Sequence, residues 1–177
     1  MFFLQMSGFP GSGKSTLAKK IARNTKAIIV DHDIVKSAML TSLEKYQENI
    51  KQTGPVSYHI DWALIDFYLS QGHSVIFDAP CLYDVMIENG VFLSTKYGAS
   101  YKYVEVYLND CVEINQRLQK RDRMVSQIES VLSEEGFQQA LNESKKPINV
   151  PYITVNSSKP VDTYLPEVLT YIRGDSE

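Results

Sequence analysis

The chain has 177 residues, 44% of them hydrophobic and 22% charged, a size that supports one well-buried globular domain and is too short to expect two. Lys and Arg total 18 against 21 Asp and Glu, and the net charge of -3 gives no electrostatic footprint for duplex nucleic acid or an anionic membrane, although a local basic cleft stays open. Cys81 and Cys111 have neither a close metal spacing nor a disulfide framework and read as reduced, part-buried thiols. No apolar run reaches membrane-spanning length and the amino terminus lacks a secretory pattern, so the expectation is a soluble, cytoplasmic protein.

In chain order, residues 2–7 are a short apolar run ending at a glycine-rich turn, and residues 15–24 have helical spacing, with Leu17, Ile21 and Ala22 on one side. Residues 27–31, "AIIVD", form a β-branched run of the kind that a parallel sheet buries on both faces. Helical stretches follow at 34–50 and 56–71, then a strand at 74–78, "SVIFD", and a helix at 84–97. A strand at 101–108, a helix at 111–120, a strand at 152–156 and a helix at 161–172 complete the series. Five buried strands separated by helices imply a three-layer α/β/α sandwich around a five-stranded parallel sheet. Residues 124–151, polar and rich in Ser, Glu, Gln and Lys, read as a mobile excursion within one domain spanning 1–177.

Several strands end in polar residues: Ser7, Asp31, Asp78 and Asn156. In an open parallel sheet the ligand crevice lies outside the carboxyl ends of the strands, so these side chains converge on one site. The turn after the first strand, "GFPGSGKS", fits G-x-x-x-x-G-K-[ST] through Gly8, Gly13, Lys14 and Ser15. The glycines allow successive backbone N–H groups to point inward, and the following helix adds its N-terminal dipole. The whole stretch Gly8, Phe9, Pro10, Gly11, Ser12, Gly13, Lys14, Ser15 and Thr16 is therefore expected to cradle a triphosphate, Lys14 reaching the β- and γ-phosphates and Ser15 ligating Mg²⁺. No Asn-Lys-x-Asp guanine motif is present, which favours ATP over GTP.

The combination GFPGSGKSTLAKKIA, a strand running into DHD, VIFDAP and an arginine-rich helix resembles the P-loop kinases of the nucleoside-monophosphate-kinase-like group. Within that group the likeness is to single-domain kinases often classed as AAA-type ATPases, among them polynucleotide kinase, zeta-toxin-like and chloramphenicol-phosphotransferase-like enzymes. It spans nearly the whole chain and implies the P-loop NTP hydrolase fold and phosphate transfer from MgATP to a small hydroxyl-bearing molecule. The resemblance implies that an acid just after the second strand takes the hydroxyl proton while a neighbour helps hold Mg²⁺. Asp33 is the expected base and Asp31 the metal or water ligand, with Asp33 also a favoured cap for a helix starting at Ile34. Asp78 either meets the metal through water or caps the turn before Pro80. His32, between the two acids, reads as exposed or satisfied rather than catalytic.

Three of the five arginines sit in "RLQKRDR", residues 117–123. Arg117 and Arg121 are four apart and on a helix project from one face. The resemblance implies that Arg117 lies on the adenine and Arg121 reaches the phosphates, while Arg123 has no assigned task. The lid is expected at 121–146, with Lys145 or Lys146 as the only basic substitutes for lid arginines, and residues 156–160 approach the adenine through their backbone. The acceptor region offers Lys36, Tyr46, Tyr58, His59, Asp61 and Trp62, most of whose aromatic content core packing explains. No arginine lies between Arg23 and Arg117, which argues against a nucleoside monophosphate and leaves a small alcohol, sugar or antibiotic. The alternative is a nucleotide-binding regulator that hydrolyses ATP slowly and transfers nothing.

Overall fold

A computed structural model describes residues 1–48 and 51–174. Its strands are β1 (Phe2–Ser7), β2 (Ile28–Asp31), β3 (Val75–Asp78), β4 (Ser100–Tyr107) and β5 (Ile153–Asn156), and its helices α1 (Lys14–Thr25), α2 (His32–Lys45), α3 (Thr53–Ser70), α4 (Asp84–Tyr97), α5 (Cys111–Lys120), α6 (Glu134–Glu143) and α7 (Val161–Arg173). The strands pair in the order β2-β3-β1-β4-β5, all parallel. This is the α/β/α sandwich expected from the alternation of β-branched runs and amphipathic helices. The helix expected at 34–50 begins two residues earlier, at His32, and ends at Lys45, with Tyr46, Gln47 and Glu48 already outside it; Asn49 and Ile50 lie outside the described residues.

Alternation along β1 divides the interior into two cores. Leu4 and Met6 face Leu17, Ile21, Val104, Val168 and Ile172 on the side of α1 and α7. Phe3 faces Ile65, Leu69, Phe77, Leu93 and Tyr103 on the side of α3 and α4. A third apolar cluster joins α5 to α6: Ile114, Leu118 and Phe137 are buried there, with Phe9 packed against them. This corrects the expectation of a mobile excursion at 124–151. Phe137 is 1% exposed, Leu141 packs beside it one turn on, and Ser133 caps α6 by accepting from the Gly136 N–H at 3.1 Å, so a mostly polar stretch forms a helix held by one apolar face. Among the described residues, no helix is long and apolar enough to cross a membrane.

Candidate active site

The phosphate loop fills the gap between β1 and α1. Gly8 adopts φ +136, and a Cβ there would lie 2.2 Å from the carbonyl oxygen of Val106, so only glycine fits beside β4. Gly13 caps α1 in the left-handed region at φ 99 with no side-chain bond, leaving the first N–H groups of the helix directed at the loop. Lys14 is 9% exposed, and its ammonium donates to the carbonyls of Gly8 at 2.8 Å and Phe9 at 3.3 Å. Burial lowers its pKa, while the carboxylates of Asp78, Asp33 and Asp31 oppose that shift. The buried Ser12 hydroxyl has no hydrogen-bond partner among the described residues.

Asp31 and Asp78 are register partners that close the adjacent strands β2 and β3. Asp31 Oδ1 accepts from the backbone N–H of Asp33 at 2.9 Å and of Ile34 at 3.4 Å. The cap of α2 is therefore Asp31 and not Asp33: the helix starts one residue before Asp33, which puts the acid in the first turn. Burial, reinforced by the Asp78 charge, raises the Asp31 pKa to about 6. Asp78 is 4% exposed and its Oδ2 has no partner among the described residues. Burial pushes its pKa up, and Lys14 and the Ser15 hydroxyl pull it back. Asp33 has both oxygens engaged: Oδ2 accepts from Gln127 Nε2 at 2.8 Å and Oδ1 from Ser126 Oγ at 3.2 Å.

Among the described residues, no group of three or more His, Cys, Asp and Glu side chains could hold a metal by itself. Ser15, Asp31 and Asp78 nonetheless suit Mg²⁺, a hard cation commonly held by one or two carboxylates together with substrate phosphates and water. The buried, unpartnered Asp78 Oδ2 is the observation that supports the fit.

The arginines Arg117 and Arg121 are both engaged by the chain itself. Arg117 lies on α5, takes Glu113 Oε1 through Nε at 2.8 Å, and donates to the Ser157 carbonyl at 2.8 Å and more weakly to Ser157 Oγ at 3.4 Å. It bridges α5 to the loop after β5, and its guanidinium stands 4.0 Å from where a Gly13 Cβ would be. Arg121 is the C-cap of α5, which ends at Lys120; its φ of -82 stays near helical values, and ψ 152 turns the chain away from the helix after it. Its Nη2 donates to the Ile128 carbonyl at 2.6 Å, its buried Nε has no partner among the described residues, and desolvation lowers its pKa while Asp33 raises it. Arg123 is exposed and holds the Gln127 carbonyl at 3.1 Å. Lys145 and Lys146 have partners of their own, Asp84 at 3.7 Å and the buried Glu105 at 2.9 Å. Neither stands in for a lid arginine in this conformation.

A family model described as an AAA domain matches residues 4–147. The chain belongs to the AAA domain family. No curated protein matches it. Solved structures similar to this AAA domain chain are a sugar kinase from Janibacter sp., 16% identical over 98% of this chain and 95% of that one at TM-score 0.68, and a gluconokinase from Sinorhizobium meliloti, 15% identical over 97% and 91% at TM-score 0.62. An APS kinase from Mycobacterium tuberculosis in complex with AMPPNP and APS is 14% identical over 98% of each chain, at TM-score 0.66. The fold is that of P-loop small-molecule kinases.

Three features of this AAA domain chain escape sequence reasoning. Ser126 and Gln127 meet Asp33 across more than ninety positions, and polar loop residues carry no signal for such a contact. His32 donates or accepts through Nδ1 at 2.6 Å with Asp61 Oδ2, both side chains buried, and stacks on Tyr58 at 4.0 Å between ring centroids. It is the satisfied histidine that the sequence allowed, with only its partner Asp61 left unnamed, and it ties α3 to the turn that carries Asp31 and Asp33. The third, the Glu105–Lys146 pair, had a legible half: an acid inside the buried run "YVEVY" demands a cation, although nothing in the sequence says which. Of the acceptor-side apolar residues, Trp62 packs on Phe3 and Phe77 and Ile65 is fully buried, while Tyr46 and Phe67 are exposed.

Proposed function

We propose that this chain is an ATP-dependent phosphotransferase, a single domain with residues 121–146 as its lid, that moves the γ-phosphate of MgATP to a hydroxyl of a small cytoplasmic metabolite. The observation that carries the reading is the charge arrangement around Asp33. This carboxylate follows β2, lies within the field of both Lys14 and Arg121, and already holds a hydroxyl and an amide. In this reading Asp33 accepts the proton of the acceptor hydroxyl as it attacks, within reach of a general base. Lys14 leaves the Gly8 and Phe9 carbonyls for the phosphates, and Arg121 leaves the Ile128 carbonyl to meet charge that develops on the transferring group. Arg117, fixed by Glu113 and Ser157, forms one wall of the adenine site with residues 156–160. Ser15, Asp31 and Asp78 would hold Mg²⁺, which neutralises phosphate charge when bound.

The test is a panel of hydroxyl acceptors incubated with γ-labelled ATP. At least one acceptor is expected to take label, and Asp33→Asn should retain ATP affinity while transfer falls roughly 10²–10⁴-fold, the usual worth of a general base. The second reading, an ATP-hydrolysing regulator without an acceptor, draws on the fact that both Asp33 oxygens are occupied by the chain itself. It predicts only slow release of free phosphate across the whole panel and little effect of Asp33→Asn.

A further inference from the structure

We propose that Ser126 is a site of intramolecular phosphorylation, an internal acceptor presented to the chain's own base; the inference rests on the assignment of Asp33 as that base. Four observations converge on it. The Ser126 hydroxyl donates to Asp33 Oδ1 and to the Asp33 carbonyl, each at 3.2 Å. A hydroxyl hydrogen-bonded to a carboxylate is the arrangement that activates an oxygen nucleophile. The rotamer is held from the other side, since Ser37 Oγ donates to Ser126 Oγ at 2.8 Å and accepts from the Ser126 N–H at 3.2 Å. Gln127 pins the same carboxylate through its second oxygen and is itself braced, its Oε1 accepting from the Met124 N–H at 3.2 Å.

The fourth observation is cationic. Arg121 and Arg123 grip the carbonyls of Ile128 and Gln127, so two guanidinium groups border the loop that carries Ser126. In the step proposed, Ser126 Oγ attacks the γ-phosphorus of ATP and an Oγ–P bond forms. The bond from that phosphorus to the β,γ-bridging oxygen breaks, ADP departs with the electron pair, and the hydroxyl proton passes to Asp33 and on to solvent. The phosphoserine would carry roughly -1.5 to -2 charges at pH 7. It would repel Asp33 and give Arg121 and Arg123 a stronger partner than two carbonyls. Modification would then lift the loop from the base and leave room for an external hydroxyl.

The experiment uses the full chain with γ-labelled ATP and Mg²⁺, without and with the acceptor panel, followed by fragmentation mass spectrometry. One phosphate on Ser126 is expected, with a rate constant that does not change with protein concentration because donor site and acceptor share a chain. Ser126→Ala should lose the label, Ser126→Thr should keep it, and Asp33→Asn should lose it while still binding ATP. Label on another residue, Ser37 included, or labelling that speeds up with protein concentration would overturn the inference. A chain that phosphorylates a panel acceptor yet never carries label on Ser126 overturns this inference alone. A chain that labels neither overturns the kinase reading together with it.

Discussion

Asp31 has two tasks that pull its protonation in opposite directions. As the cap of α2 it accepts two backbone N–H groups, which favours the charged form, but burial and the neighbouring Asp78 outweigh them and hold its pKa near 6. An acid whose folded pKa exceeds its ordinary value of 3.8 binds its proton more tightly when folded. Its contribution to stability is full below about pH 4 and is lost as pH rises through about 6. Asp31→Asn keeps a side chain suited to capping and removes the titration. The variant is therefore expected to melt higher than the parent at pH 7, with the gap closing toward pH 4. Melting temperature followed from pH 4 to 7 checks this, and an unchanged gap across that range would contradict it. The same substitution should weaken the response of ATP binding to Mg²⁺, because an amide oxygen lacks the charge a hard cation prefers.

At the scale of elements, α6 links the segment after α5 to the phosphate loop. Phe137 meets Phe9 edge to face, with centroids 4.9 Å apart, and Phe9 is also the residue whose carbonyl receives Lys14 and the Ser12 N–H. Phe137→Ala removes a fully buried ring, and losses of about 3–5 kcal/mol are typical of such truncations. Chemical denaturation should show a loss of that order, and calorimetry on the folded variant should show weaker ATP binding, since Phe9 loses its support. A large loss of stability with unchanged ATP affinity would mean that α6 is coupled to the fold and not to the loop. The polar composition of residues 124–151 masked this helix, although Phe137, Ala140 and Leu141 stand at helical spacing behind the Ser133 cap; the pattern is short, and the burial of Phe137 depends on α5 and the loop being already in place.

For the molecule as a whole, the approach of the helical layer to the sheet is set at Gly90 on α4. A Cβ there would lie 2.6 Å from a Tyr101 ring carbon, 2.8 Å from Gln5 Oε1 and 2.9 Å from a Phe3 ring carbon. Alanine is the better helix former by about 1 kcal/mol, but rigid rings leave it no room, and overpacking of this kind costs roughly 1–3 kcal/mol. Gly90→Ala should therefore destabilise the protein against its helix propensity, as read from the denaturant midpoint; a stabilised variant would show that α4 can move away from β1 and β4. The same face of the sheet runs from apolar to polar toward its carboxyl edge. Phe3 and Tyr101 give way to Gln5, which accepts from the Tyr101 hydroxyl at 2.9 Å and donates to Cys81 Sγ at 3.2 Å, and then to Ser7, whose hydroxyl meets Ser144 at 2.8 Å. The segment before β5 is thereby tied down beside the site, with Tyr103 donating to the Lys145 carbonyl and Lys146 paired with Glu105.

What the sequence by itself determined was the part encoded by local pattern. Gly8, Gly13, Lys14 and Ser15 specify a phosphate loop because backbone conformation and helix dipole act within a few residues. The β-branched runs ending in Asp31 and Asp78 specify buried parallel strands whose acids must emerge on one edge. Tertiary structure alone decided which carboxylate caps α2, where α5 releases Arg121, and that Ser126 and Gln127 reach Asp33. The contacts of Ser126 and Gln127 with Asp33 span 93 and 94 positions, where no sequence period links one partner to the other, whereas the cap and the end of α5 were choices between neighbouring residues that packing settled. Packing and desolvation then set the charge state of Asp31, which no motif could specify.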